Sequence, residues 1–104
     1  METLYKLERI EHAGACGERG TERVDGRYPD RKGSIYKINS LYLGYPMILE
    51  YVWDNQGMDK SGYLCSTPVL AADICSGKSG EIVVETKNSI YYLKEYRFTD
   101  GTEN

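Results

Sequence analysis

A chain of 104 residues and 11.8 kDa is long enough for one domain that buries about two thirds of the surface its unfolded form exposes, so it needs no staple to fold. Its 13 basic and 16 acidic residues leave a net charge of -3, which excludes a surface built throughout for nucleic acid and leaves room only for a local basic patch. Three cysteines are an odd set, METLYKLER carries no apolar h-region and no run approaches the ~18 apolar residues of a membrane span, so a soluble, reduced, cytoplasmic protein is expected.

Leu4 to Ile10 reads as a first strand, with Leu4, Tyr5, Leu7 and Ile10 set among charges, and an edge position suits it. Ala13 to Gly33 is different in kind. Gly14, Gly17, Gly20, Gly26 and Gly33 interrupt any period, which makes it a long loop, and loops beyond about 12 to 15 residues in a small domain tend to carry function. Gly33 to Leu43 returns to a β pattern through Ile35, Tyr36, Ile38, Leu41 and Leu43, with a polar break at Asn39-Ser40, and Gly44 permits a turn.

Pro46 to Asp54, PMILEYVWD, is the run around which the rest is arranged. Met47, Leu49, Tyr51 and Trp53 share one face while Ile48 and Val52 share the other, so a strand covered on both sides is predicted at the centre of a small sheet. DNQGMDKSG supplies hairpin residues, and Tyr63 to Thr67 should return antiparallel. Pro68 marks a bulge or a strand end, since it lacks a backbone donor. Val69 to Ile74 is open between a resumed strand and one helical turn. Glu81 to Thr86 and Ile90 to Tyr96 are β, joined by a turn at Lys87-Asn88-Ser89, and residues 99–104 form a frayed tail.

Five or six short strands joined by hairpins predict a single all-β domain over residues 1–104, mainly antiparallel, with the sheet closed or nearly closed on itself. A strand, a long irregular loop and then a run of hairpins resembles an SH3-like small barrel, with residues 13–33 in the place of that fold's long first loop. The acidic stretch and the aromatic pair with which a peptide-binding SH3 domain grips proline have no counterpart here position by position. VETKNSIYYL resembles strand endings of uncharacterised small accessory proteins of Gram-positive bacteria and their phages, a resemblance that implies no activity by itself.

Decisive catalytic signatures are missing. Ala72 to Ser79, ADICSGKS, fits a loose phosphate-loop pattern, but that chemistry needs a helix after the loop and EIVVET stands there instead, so a hairpin turn is predicted. His12, Cys16, Cys65 and Cys75 are zinc-ligand types, yet the spacings H-x3-C and C-x9-C are unlike the tight knuckle of a structural site. The cysteines read as small buried hydrophobes and His12 as a surface residue at a strand end; no metal, cofactor or Cys16–His12 nucleophilic pair is expected.

The informative feature is a charge ladder in the long loop. Arg19, Arg23, Arg27, Arg31 and Lys32 face Glu18, Glu22, Asp25 and Asp30, while Gly20, Gly26 and Pro29 exclude a continuous helix. Either these charges pair among themselves on a solvated loop, or the planar guanidinium forks hold a phosphate or carboxylate, clamping an anionic ligand or gripping an acidic patch on another protein, while Tyr28 stacks on a base or packs in an interface. Tyr42, Tyr45, Tyr51 and Trp53 read as core or cross-strand partners, and any that is exposed serves as a contact anchor. The site predicted is therefore Arg19, Arg23, Arg27, Tyr28, Arg31, Lys32, Tyr45 and Trp53.

The function expected is non-catalytic, stoichiometric binding of another protein, in its sharpest form by a phage or mobile-element inhibitor or modulator of a host protein. Sequestration of a nucleotide or other anionic small ligand, with two subunits of a homo-oligomer contributing arginines, is the alternative. Nucleic-acid binding by a small barrel comes third. An enzyme comes last.

Overall fold

Buried residues alternate in several strands, as at Met47 and Leu49 or Ile82 and Val84, so one face of each such strand points into a barrel. The computed structural model describes residues 3–15, 17–75 and 80–96, with positions 74 and 75 described by their backbone alone. Six strands, β1 (Leu4–His12), β2 (Ile35–Ser40), β3 (Pro46–Trp53), β4 (Tyr63–Cys75), β5 (Glu81–Thr86) and β6 (Ser89–Tyr96), run antiparallel in chain order around the closed barrel. One helical turn, α1 (Tyr28–Arg31), precedes β2. The all-β antiparallel barrel is the architecture predicted, and it is compatible with an SH3-like fold.

The first strand is not an edge. β1 pairs with β6 from Leu4↔Tyr96 to His12↔Ser89 and with β2 from Leu4↔Lys37 to Lys6↔Ile35, which closes the barrel and removes any free edge. Leu7, Ile10, Tyr36, Met47, Leu49, Leu64, Val69, Ile82, Val84, Tyr91 and Leu93 fill the interior. Each fully buried Leu or Val there contributes about 1.5 to 3 kcal/mol relative to exposure.

Closure also corrects the two-sided cover expected of PMILEYVWD. Met47 and Leu49 are 0% exposed, whereas Ile48 and Val52 are half-buried on the outer wall. A barrel gives every strand one inside, so β3 is one stave among six. β2 likewise stops at Ser40 instead of Leu43. The chain turns through Gly44 at φ +85, whose N–H donates to Val69 O at 2.9 Å, and the Val69 N–H donates back to Tyr45 O at 2.9 Å.

Pro68 does not end β4. It sits opposite Pro46 beside a register shift, and the strand then changes neighbours, pairing with β3 up to Pro68 and with β5 from Val69 to Cys75. That ladder resolves Val69 to Ile74 as strand. The β5–β6 turn is two residues long, Lys87-Asn88, with Thr86 Oγ1 accepting the Ser89 N–H at 3.2 Å. The segment after Cys75 that carries Lys78 and Ser79 lies outside the described residues, as does the tail 99–104. The next element along the chain from Ser79 is the antiparallel strand β5, not a helix. Among the described residues no helix is long and apolar enough to cross a membrane.

Candidate functional site

The long loop is not a free strap. It doubles back along β1: the His12 N–H donates to Thr21 O at 2.8 Å, the Arg23 N–H to Ile10 O at 2.8 Å, and Glu11 and Glu22 form an isolated antiparallel bridge. Tyr28–Arg31 then makes one helical turn, with Pro29 near its start, where a missing N–H costs nothing. Gly33, at φ +89, ends it and donates to Leu7 O at 2.7 Å; a side chain there would also press on Asn55, 3.2 Å from the Cβ position.

This path commits part of the charge ladder inside the molecule. Arg23 is 8% exposed and spends its guanidinium on the Asp25 carboxylate at 2.7 and 3.2 Å, Ser89 Oγ at 2.8 Å, Asn88 O at 3.2 Å and Tyr28 Oη at 3.3 Å. It also lies 4.1 Å over the Tyr28 ring. Arg19 forks onto Glu85 of β5 at 2.6 and 2.9 Å, and that hydrogen bond holds the Glu85 carboxyl below the usual carboxylate range. Lys32 reaches Glu22 at 2.5 Å, lowering its pKa in the same way, and Arg9 of β1 joins Glu22 to Glu11. Arg23, Arg19 and Lys32 thus tie the loop to itself and to the barrel.

Arg27 and Arg31 remain, and the fold brings them to a cation the sequence had not marked, Lys60. They border a groove of about 240 Å³ between α1 and the β3–β4 hairpin, together with Asp30, Tyr51, Lys60, Ser61, Gly62 and Tyr63. Arg31 lies 5.2 Å over the Tyr28 ring, and Lys60 Nζ sits 4.2 Å over the ring of Tyr51, which in turn packs at 4.6 Å against buried Tyr36. Among the described residues Arg27, Arg31 and Lys60 form no ion pair. Lys60 and Tyr63 carry no local signal in the sequence, where DKSGY reads as a hairpin; only the folding of α1 against that hairpin makes them neighbours of the arginines.

The two predicted aromatic anchors part company. Tyr45 is 65% exposed and stands beside Tyr42 at 68% and Leu43 at 65%, in the turn that docks on Val69 of β4, next to Leu70 at 62%. Trp53 lies at the other end of β3, half-buried, edge-on to Tyr96 with ring centres 6.2 Å apart. Tyr28 is packed against the core and bracketed by Arg23 and Arg31, which makes it a support for those guanidinium groups rather than a free stacking platform.

His12 is at a strand end, as predicted, and only partly exposed there. Its side chain is 16% exposed, its Nε2 is 3.9 Å from Asp25, and its Nδ1 is buried without a hydrogen-bond partner among the described residues. Gly17 lies against the ring, so close that a Cβ there would fall 2.6 Å from Nδ1. Among the described residues no three His, Cys, Asp or Glu side chains gather in a way that could hold a metal ion; Cys65 is an exposed free thiol and Cys16 lies outside the described residues.

Comparison with protein-family models, with curated proteins and with solved structures finds no match for this chain.

Proposed function

We propose that this protein is a non-catalytic binding module that acts by stoichiometric contact with another protein. The observation that carries this reading is a group of four apolar side chains more than 60% exposed, Tyr42, Leu43 and Tyr45 in the turn and Leu70 on β4, next to the Val69 to which the turn is bonded. Isolated exposed apolar side chains are ordinary, but a group of this size on a small barrel costs solvation in the free protein, and tyrosine is a frequent anchor of binding hot spots. The partner is a protein that offers a complementary apolar groove with acceptors for the two tyrosine hydroxyls. A phage or mobile-element modulator of a host protein is the sharpest biological form of this reading.

The test compares a tagged wild type with Tyr45→Ala/Leu70→Asp and with Lys87→Ala, a control in the exposed β5–β6 turn. A host protein recovered in 1:1 ratio by wild type and control, and lost from the double variant at unchanged circular dichroism, supports the proposal. Equal recovery by the double variant overturns it, as does light scattering that shows the face occupied by a second copy of this chain.

A further inference from the structure

We infer that the groove between α1 and the β3–β4 hairpin is a binding site for a phosphate monoester carried on or beside a planar ring. Arg27, Arg31 and Lys60 surround it with three positive charges and Asp30 supplies the one carboxylate, in a protein whose overall charge is -3. The local excess is therefore two positive charges, against the general sign of the molecule. None of the three is in an ion pair among the described residues, although the Asp54 carboxylate attracts Lys60 at longer range, whereas Arg19, Arg23 and Lys32 in the same loop each have a carboxylate partner.

The arrangement gathers like charges. Arg27 and Arg31 stand four residues apart on one helical turn, a spacing at which like charges repel, and Lys60 adds a third from across the groove. A phosphate monoester carries about -1.5 to -2 at neutral pH, so this cluster of cations attracts it more strongly than a carboxylate at -1. Arginine's planar fork spans two phosphate oxygens, and lysine adds a point charge to a third. Two of the cations are also held in place in advance, Arg31 over Tyr28 and Lys60 over Tyr51, so less side-chain freedom is lost on binding.

The size and the remaining wall define the rest of the ligand. A volume of about 240 Å³ equals roughly eight waters at ~30 Å³ each, room for a phosphoryl group and part of what it is attached to. Tyr63, 61% exposed at the groove's rim, presents an uncovered ring to a planar group beside the phosphate. A nucleoside monophosphate and a phosphotyrosine side chain share this chemistry.

The groove is independent of the apolar face. Tyr63 and Leu70 are seven residues apart on β4, about 20 Å along an extended strand, so variants of one surface leave the other intact. Calorimetric titration of the full chain with inorganic phosphate, with adenosine monophosphate against adenosine, and with a phosphotyrosine peptide against its unmodified form tests the assignment. At least one phosphorylated probe is expected to bind at least tenfold tighter than its dephosphorylated counterpart, and Arg27→Ala and Lys60→Ala should each weaken that probe by about tenfold while Lys87→Ala does not. Binding of the nucleotide alone assigns a free ligand, binding of the peptide alone assigns a phosphorylated protein, and binding of both supports the shared phosphate. No binding by any probe, equal binding of the dephosphorylated forms, or undiminished binding by both variants overturns the inference. If a variant fails to fold, the wild type decides: affinity that does not fall with added salt is equally fatal.

Discussion

The guanidinium of Arg23 donates to the hydroxyl of Ser89 at 2.8 Å, which fastens the long loop to the first residue of β6. Ser89 is fully buried and its backbone is in turn bonded to Thr86 Oγ1, so the arginine reaches into the wall of the barrel. The loop's shape, and with it the position of α1, depends on this internal attachment.

Arg23→Ala should accordingly destabilise the fold by about 2 to 3 kcal/mol, the loss expected when hydrogen bonds to a buried charged group are removed and a packed side chain is deleted. For a domain of this size that lowers the melting temperature by more than about 10 °C. Arg19→Ala, which breaks an exposed pair with Glu85, should shift it little. Urea denaturation of both variants checks the contrast; equal losses would mean that burial of the guanidinium is not what matters.

Gly17→Ala should destabilise the protein although Gly17 has no left-handed backbone. Its new methyl would sit 2.6 to 2.8 Å from ring atoms of His12, so the ring has to leave its site, at a cost of about 1 to 3 kcal/mol. His12→Ala in the same chain removes the obstacle. The pair should therefore be strongly non-additive in a double-mutant cycle, the double variant being more stable than the sum of the single losses predicts.

Stability should fall at both ends of the pH scale, for opposite reasons. Hydrogen bonds from Arg23, Lys32 and Arg19 lower the folded pKa of Asp25, Glu22 and Glu85, and the Met58 and Gln56 N–H groups do the same for Asp54. Their stabilisation is complete above the unfolded carboxylate values of about 3.9 to 4.3 and is lost as pH falls through the lower folded ones. Burial pushes the Tyr91 hydroxyl up to about 12 and raises Tyr36 further still. The folded protein thus keeps protons that the unfolded chain releases near pH 10, so that contribution is full below about pH 10 and lost as pH climbs through about 12. Melting temperatures measured across this range should show a plateau with a shoulder on each side. Glu85→Gln should soften the acid shoulder and Tyr91→Phe the alkaline one; a flat profile down to about pH 2 would count against the paired carboxylates.

The alternation of Met47 and Leu49 with Ile48 was legible in PMILEYVWD, but which of the two faces lay inside was not, because both are apolar. Hairpin chemistry in DNQGMDKSG and at Lys87-Asn88 was equally legible, and so was the loop over residues 13–33. The division of labour among that loop's cations was hidden. Arg19, Arg23, Arg27 and Arg31 repeat at every fourth residue and look equivalent, yet one is buried, one is bound to β5 and two face the groove with Lys60.

By itself the sequence determined what is local: strand periods, turn residues, the absence of any transmembrane run and the concentration of arginine after the first strand. The tertiary structure alone decided the rest: that β1 closes on β6, that Arg23 is internal and that Lys60 joins Arg27 and Arg31. Charge and hydrogen-bond partners are settled by proximity in space, and Arg23 is 66 residues from Ser89 along the chain. No periodicity within a segment encodes a contact at that separation, whereas the two-residue alternation of a strand is written in the strand itself.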